Sequence, residues 1–244
     1  MTDTAALAPS WPRFLLSGEA ALTVELGETV DRRISAKVLR LHRHLRAHPL
    51  HGMGETLPAF CSLMVRFDPR QTGPEALQEA LAGIIGGMSD APLPSRKWIV
   101  PVCYAPEMGL DIAEVAERCG LTADEVIARQ SGATYYVYML GFLPGHPYLG
   151  DLPEALRLPR RKEPRTRVPR GSLAIATSFA VIYPFDCPGG WNIIGRTPVS
   201  LFDAGRAEPA LLAPGDEVRF EPVSPAQFEA LAAAGGGARL DGAS

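Results

Sequence analysis

Residues 141 to 198 set the strongest limit on what this chain can become. The stretch runs from Gly141-Phe142-Leu143-Pro144-Gly145-His146-Pro147-Tyr148-Leu149-Gly150, through Pro159-Arg160-Arg161-Lys162-Glu163-Pro164-Arg165, to Pro188-Gly189-Gly190-Trp191-Asn192-Ile193-Ile194-Gly195-Arg196-Thr197-Pro198. Proline removes backbone donors and glycine is costly to order, so long helices and uninterrupted central strands are excluded. Apolar runs between the turns exclude a flexible linker. Short strands joined by rigid turns remain, carrying a histidine, several arginines, an asparagine and aromatic rings. That composition suits a shaped polar cleft.

At 244 residues the chain is long enough for one large domain or two smaller ones. Hydrophobic residues are 46% and charged residues 21%, as in a soluble globular protein. A formal net charge of −3 argues against a general nucleic-acid binder. Cys61, Cys103, Cys119 and Cys187 stand far apart with no CxxC pair, so reduced and mostly buried cysteines are expected. The N-terminus lacks a basic segment followed by an apolar one, and no apolar run approaches the length of about 18 residues that a membrane span needs. The expectation is a cytoplasmic protein without signal peptide or membrane span.

Taken in order, residues 1 to 12 read as a loose tail. Strands are expected near 13–17 and 22–26, a helix over 32–47, a strand over 60–67 and a helix over 74–86. Residues 13–90 thus read as a small α+β domain with helices on one face of a mixed or antiparallel sheet. Turn-rich Ser89 to Ser95 marks the boundary. Residues 96–222 show many short strands with Gly/Pro turns, interrupted by two short helices. Asp111 caps the first, and Thr122 with Glu125 forms a capping box for the second. This pattern predicts a closed or nearly closed β-barrel. Over 223–244 a helix from Pro225 covers Phe228 and Leu231, Gly235 to Gly237 end it, and disorder is expected beyond.

Within the Gly/Pro-rich stretch, His146 sits between Gly145 and Pro147, held for proton transfer or for hydrogen bonding to a carboxylate or phosphate. A turn histidine packing on Tyr148 is the plain alternative. Arg157, Arg160, Arg161, Arg165 and Arg167, with Lys162, crowd a segment that Pro159, Pro164 and Pro169 keep extended. Arg165 and one of Arg160 or Arg161 can face a cleft as anion clamps, while the rest form a solvated charge run. Trp191 offers a platform. Asn192 and Arg196, on one face of a regular strand, can reach one ligand or pin loops. Cys187 has no assignable base. His44 and His48 have metal-compatible spacing without a further ligand, so no metal site is expected. A P-loop and a GxSxG elbow are absent from the sequence.

The motifs GFLPGHPYLG at 141–150, LPRRKEPRTRVPRGSLAIA at 158–176, YPFDCPGGWNIIGRTPVSLFD at 183–203 and LLAPGDEVRF at 211–220 resemble the 5-oxoprolinase B-subunit family. SGEAALTVELG at 17–27 and ETLPAFCSLMVRFDP at 55–69 are similar too. That family also holds the kinase inhibitor KipI and proteins labelled allophanate hydrolase subunit 1.

The resemblance implies a small α+β domain and a cyclophilin-like β-barrel. It implies a hetero-oligomer with the 5-oxoprolinase C subunit (KipA-like) and A subunit (LamB/YcsF-like), cleaving 5-oxo-L-proline to L-glutamate with ATP used by the complex. The alternatives it implies are inhibition of a histidine kinase or a place in a urea or other biotin-dependent carboxyltransferase. On this reading His146, Arg165 and Asn192 are the catalytic set, and Arg160, Tyr183, Trp191 and Arg196 bind ligand. Thr177-Ser178-Phe179-Ala180 departs from the family's more usual Gly-Gln-Thr-Gly.

Overall fold

The computed structural model describes residues 11–89, 91 and 93–242. Residues 1–10 of the expected loose tail, Asp90 and Pro92 of the expected boundary, and the last two residues lie outside that description. The chain divides into two compact units, one ending at Leu93 and the other beginning at Pro94.

The first unit runs β1 (Arg13–Leu16), β2 (Ala21–Glu25), α1 (Arg32–Ala47), β3 (Met53–Pro58), β4 (Ser62–Phe67) and α2 (Pro74–Gly86). Its sheet is antiparallel in the order β1-β2-β4-β3. The Asp31 side chain starts α1 by accepting from the amides of Arg33 (2.8 Å) and Ile34 (3.3 Å). Val38, Leu41 and Leu45, at helical spacing, are then buried with Leu22, Val24, Leu63, Val65, Leu77 and Leu81 in one core. Pro74 opens α2, where its missing N–H costs nothing. Strand β3 was not expected. Only Thr56 of its six residues is buried, so this edge strand lacks the alternating pattern that reveals half-buried strands.

The second unit begins with β5 (Lys97–Val102), α3 (Ile112–Cys119), α4 (Ala123–Gly132), β6 (Thr134–Leu140) and β7 (Pro147–Gly150). It continues through β8 (Arg165–Val168), β9 (Ser172–Ala176), β10 (Phe179–Ile182), β11 (Cys187–Gly189) and β12 (Asn192–Arg196). β13 (Glu217–Pro222), α5 (Pro225–Ala233) and β14 (Arg239–Leu240) follow.

Eight strands form one sheet in the order β12-β9-β10-β7-β6-β13-β5-β14, and β8 with β11 makes a separate ribbon. β5 and β13 run parallel in an otherwise antiparallel ladder, so the sheet is mixed. An antiparallel bridge between Cys103 and Arg196 ties the residue after β5 to the end of β12. Asp216 pins the turn before β13, accepting from Arg96, from the Trp98 indole (3.1 Å) and from the Ala213 amide (2.8 Å).

All five residues of β9 are buried, because its two faces serve different cores. Leu173 and Ile175 join the main core with Val100, Leu149, Ile182 and Ile194. Ala174 and Ala176 face a second cluster with Val168, Val181, Tyr183, Trp191 and Ile193. The candidate site lies on that second side.

Three expectations change. The segment after Gly237 is not disordered through its length, since β14 pairs antiparallel with β5. Two Arg239–Glu221 hydrogen bonds (2.9 and 2.8 Å) and a bond from the Asp241 amide to Lys97 hold it. Asp111 precedes α3, yet its side chain makes no capping bond there. Among the cysteines, only Cys103 is buried, and Cys61, Cys119 and Cys187 are half-buried; all four are free. Among the described residues no helix is long and apolar enough to cross a membrane.

Candidate functional site

A cavity of about 300 Å³ is lined by Phe142, His146, Tyr148, Arg160, Pro164, Tyr183, Pro188, Gly189, Gly190 and Trp191. Its walls come from the β6–β7 loop and β7, the arginine-rich segment, the residue after β10, and β11 with the turn that follows it. In the β6–β7 loop, the His146 amide donates to Leu143 O and the Gly141 amide to His146 O, both at 3.1 Å. Gly145 turns the chain at φ 72°, where a side chain would be strained and its Cβ would meet Phe202 Cβ at 2.9 Å. At Gly189 the missing side chain serves a different need. A Cβ there would lie 2.5 Å from the Tyr183 hydroxyl, so glycine lets the phenol reach the cavity wall.

His146 is 3% exposed and meets three rings edge-on: Tyr183 at 5.1 Å, Tyr148 at 5.4 Å and Phe142 at 5.6 Å between centroids. Burial lowers its pKa to about 4, so the ring is neutral at pH 7. It acts there as a hydrogen-bonding group, not as a cation. Its Nδ1 is enclosed without a partner among the described residues. An orphaned lone pair costs less than an orphaned N–H, so the favoured tautomer keeps the proton on Nε2. Burial likewise pushes the Tyr183 phenol well above its usual pKa, keeping it a neutral donor.

Arg160 stands exposed at the cavity, its guanidinium 5.4 Å from the Trp191 ring centroid. Among the described residues no carboxylate pairs with it, and none lines the cavity.

The arginines that follow it toward β8 are engaged. Asp111, 3% exposed, accepts from Arg165 Nη1 (2.9 Å) and Nη2 (2.5 Å), from Arg161 Nη1 (2.9 Å) and from the Ile193 amide (2.7 Å). Arg161 also pairs with Glu114 at 2.9 Å, and Arg167 with Asp186. The structure thus brings His146, Arg160, Tyr183 and Trp191 together, and holds Arg165 on Asp111 away from the cavity lining.

A bulge between Ile193 and Gly195 shifts the β12 register, so strict alternation between Asn192 and Arg196 fails. Asn192 donates to Pro159 O (3.2 Å) and Ile175 O (3.1 Å), whereas Arg196 donates to Arg170 O (2.8 Å). Each pins a different loop. Asn192 fixes the residue before Arg160, and the Arg161 amide adds a bond to Gly190 O at 2.7 Å.

Sequence reasoning missed Asp111 as the anchor of the arginine segment. Its signal was present but misread, because an acid before a helix is ordinarily a cap. A clustered arginine run that must sit in a cleft needs a buried counter-charge, and that need was the usable hint.

A larger cavity of about 610 Å³ lies at the start of α1, lined by Asp31, Arg33, Arg40 and others. Asp31 is spent on capping and Arg40 donates to Ala91 O, so the smaller cavity, with its unpaired groups, is the better candidate. Among the described residues no group of three or more His, Cys, Asp or Glu is arranged to hold a metal ion.

The family profile for the carboxyltransferase domain, subdomain C and D, matches residues 12–212. The 5-oxoprolinase B subunit of Escherichia coli O157:H7 is 40% identical over 212 residues, covering 86% of this chain and 95% of that protein. That of Bacillus subtilis (strain 168) is 34% identical, covering 87% and 93%. The crystal structure of TTHA0988 superposes with a TM-score of 0.75 at 37% identity, over 84% of this chain, which spans 40% of that longer one. The Kluyveromyces lactis urea carboxylase gives a TM-score of 0.74 at 20% identity, over 93% of this chain and 24% of that one, a likeness of fold alone.

Proposed function

The chain belongs to the carboxyltransferase domain, subdomain C and D, family, and from that premise we propose that it serves as the B subunit of a 5-oxoprolinase. The observation that carries this reading is the near end-to-end match to two proteins of that name, at 95% and 93% of their lengths. The reaction is cleavage of 5-oxo-L-proline to L-glutamate with ATP hydrolysis, shared with cognate A and C subunits. A lactam amide is stable, so coupling its opening to ATP is chemically reasonable.

ATP does not fit the cavity of this chain. One unpaired guanidinium is too little charge for a triphosphate, and the sequence has no Gly-rich cradle ending in Gly-Lys-Ser/Thr. On this reading the nucleotide is bound by a partner subunit. The second unit is read as a cyclophilin-like β-barrel, a reading supported by the bridge from Cys103 to Arg196 near opposite ends of the ladder.

The test is glutamate release from 5-oxo-L-proline and ATP by this chain with its cognate A and C subunits, omitting each in turn. Release that requires all three is expected. A folded, verified complex that releases none would overturn the assignment in favour of another amide or a carboxyl-transfer substrate.

A further inference from the structure

We infer that the cavity between His146, Arg160, Tyr183 and Trp191 is a binding site, on this chain alone, for a small monocarboxylate with a flat uncharged body. The first reason is charge. Arg161, Arg165 and Arg167 are ion-paired, whereas Arg160, the arginine that lines the cavity, has no carboxylate partner among the described residues and stands by the Trp191 ring. One free guanidinium with no carboxylate in the lining selects a monoanion. A phosphoryl chain would ask for more positive charge.

The second reason is the hydrogen-bonding character of the walls. The neutral His146 ring, 3% exposed, lines the cavity, and among the described residues the Tyr183 hydroxyl has no hydrogen-bond partner. The Tyr183 hydroxyl and the Trp191 indole give the lining uncharged donors, which suit carboxylate and carbonyl oxygens.

The third reason is shape. Phe142, Tyr148, Tyr183 and Trp191 present rings around about 300 Å³, a volume at the small end of ligand cavities. Flat bodies stack on such walls. The carboxylate meets Arg160 at the mouth, and the uncharged body lies inward against His146 and the rings.

The anchoring described above serves this purpose. Asn192 holds Pro159, the Arg161 amide holds Gly190, and Asp111 holds Arg161 and Arg165. These bonds on either side of Arg160 hold the backbone that carries it at the cavity, so Asn192 and Asp111 are positioning residues.

The inference rests on the oxoprolinase reading only for its first probe, 5-oxo-L-proline. Titration calorimetry on the full chain compares that probe with 2-pyrrolidinone, the same ring without a carboxylate, and with inorganic phosphate. Binding of 5-oxo-L-proline alone is expected. Arg160→Gln should weaken it at least about tenfold, the loss of one charge-assisted pair. His146→Phe should also weaken it, while Arg157→Gln, exposed and outside the lining, should not. Matching circular dichroism and melting temperature for each variant keep a folding defect from passing as a binding one.

Equal binding of 2-pyrrolidinone, preference for phosphate, or indifference to Arg160→Gln overturns the inference, as does no binding. If the full complex releases glutamate but the chain binds nothing, the site fails and the oxoprolinase assignment stands. If the chain binds the carboxylate through Arg160 and the complex releases no glutamate, the assignment fails and the site stands.

Discussion

Replacing Asp111 by asparagine tests the residue from which the arginine-rich segment hangs. The change keeps the shape but leaves Arg161 and Arg165 beside a neutral group that is 3% exposed. Asp111 is buried but both arginines stay partly exposed, so the loss is about 2 kcal/mol, which urea unfolding at pH 7 would read. An unchanged midpoint would mean that the pairs contribute nothing.

His146 makes a second residue-scale prediction. Its pKa is about 4 in the folded chain against an ordinary 6.5, so the folded state binds fewer protons between those values. Its stabilising contribution is complete above pH 6.5 and declines as pH falls towards 4, by up to about 3 kcal/mol. His146→Phe should flatten that part of the stability profile. Parallel profiles for the two proteins would refute the burial argument.

At the scale of elements, local rules served where partners are local. Thr122 accepts from the Glu125 amide at 3.2 Å, and the Glu125 carboxylate accepts from the Thr122 amide at 2.8 Å, as the sequence spacing requires. Thr122→Ala should cost about 1 kcal/mol by thermal or urea unfolding, with no change in ligand binding.

The β14 strand is the opposite case. Two residues after a glycine run carry no period, yet they close the free edge of β5. Ending the chain at Gly237 should speed amide exchange at Lys97 to Ile99, with a global loss within about 1 kcal/mol because the Arg239–Glu221 pair is exposed. Unchanged exchange there would show that β14 does not form in solution. The β12 bulge was equally unreadable, because nothing in Asn192 to Arg196 announces where the ladder will slip.

At the scale of the whole molecule, the proposed barrel is supported by the bridge between Cys103 and Arg196. Cys103 and Arg196 exchange amide hydrogen bonds of 2.8 and 2.9 Å near opposite ends of the ladder. If the sheet closes in solution, these two amides should exchange as slowly as those of the β9–β10 pair. Rapid exchange at both would mean an open sheet.

Helices beside an antiparallel sheet, and a β-rich stretch after them, were legible because hydrophobic period and turn chemistry are written locally. His146, Arg160, Tyr183 and Trp191 were legible as candidates for the same reason: their Gly/Pro setting is unusual in itself. Which arginine lines the cavity without an ion pair was not legible. That choice depends on Asp111, some fifty residues earlier in the chain, and on a register slip in β12. The sequence by itself therefore determined those elements whose pattern is local, and the chemistry available to the cleft. Tertiary structure alone decided which charges cancel and which remain for a ligand, because pairing energies depend on distances that only the assembled sheet sets.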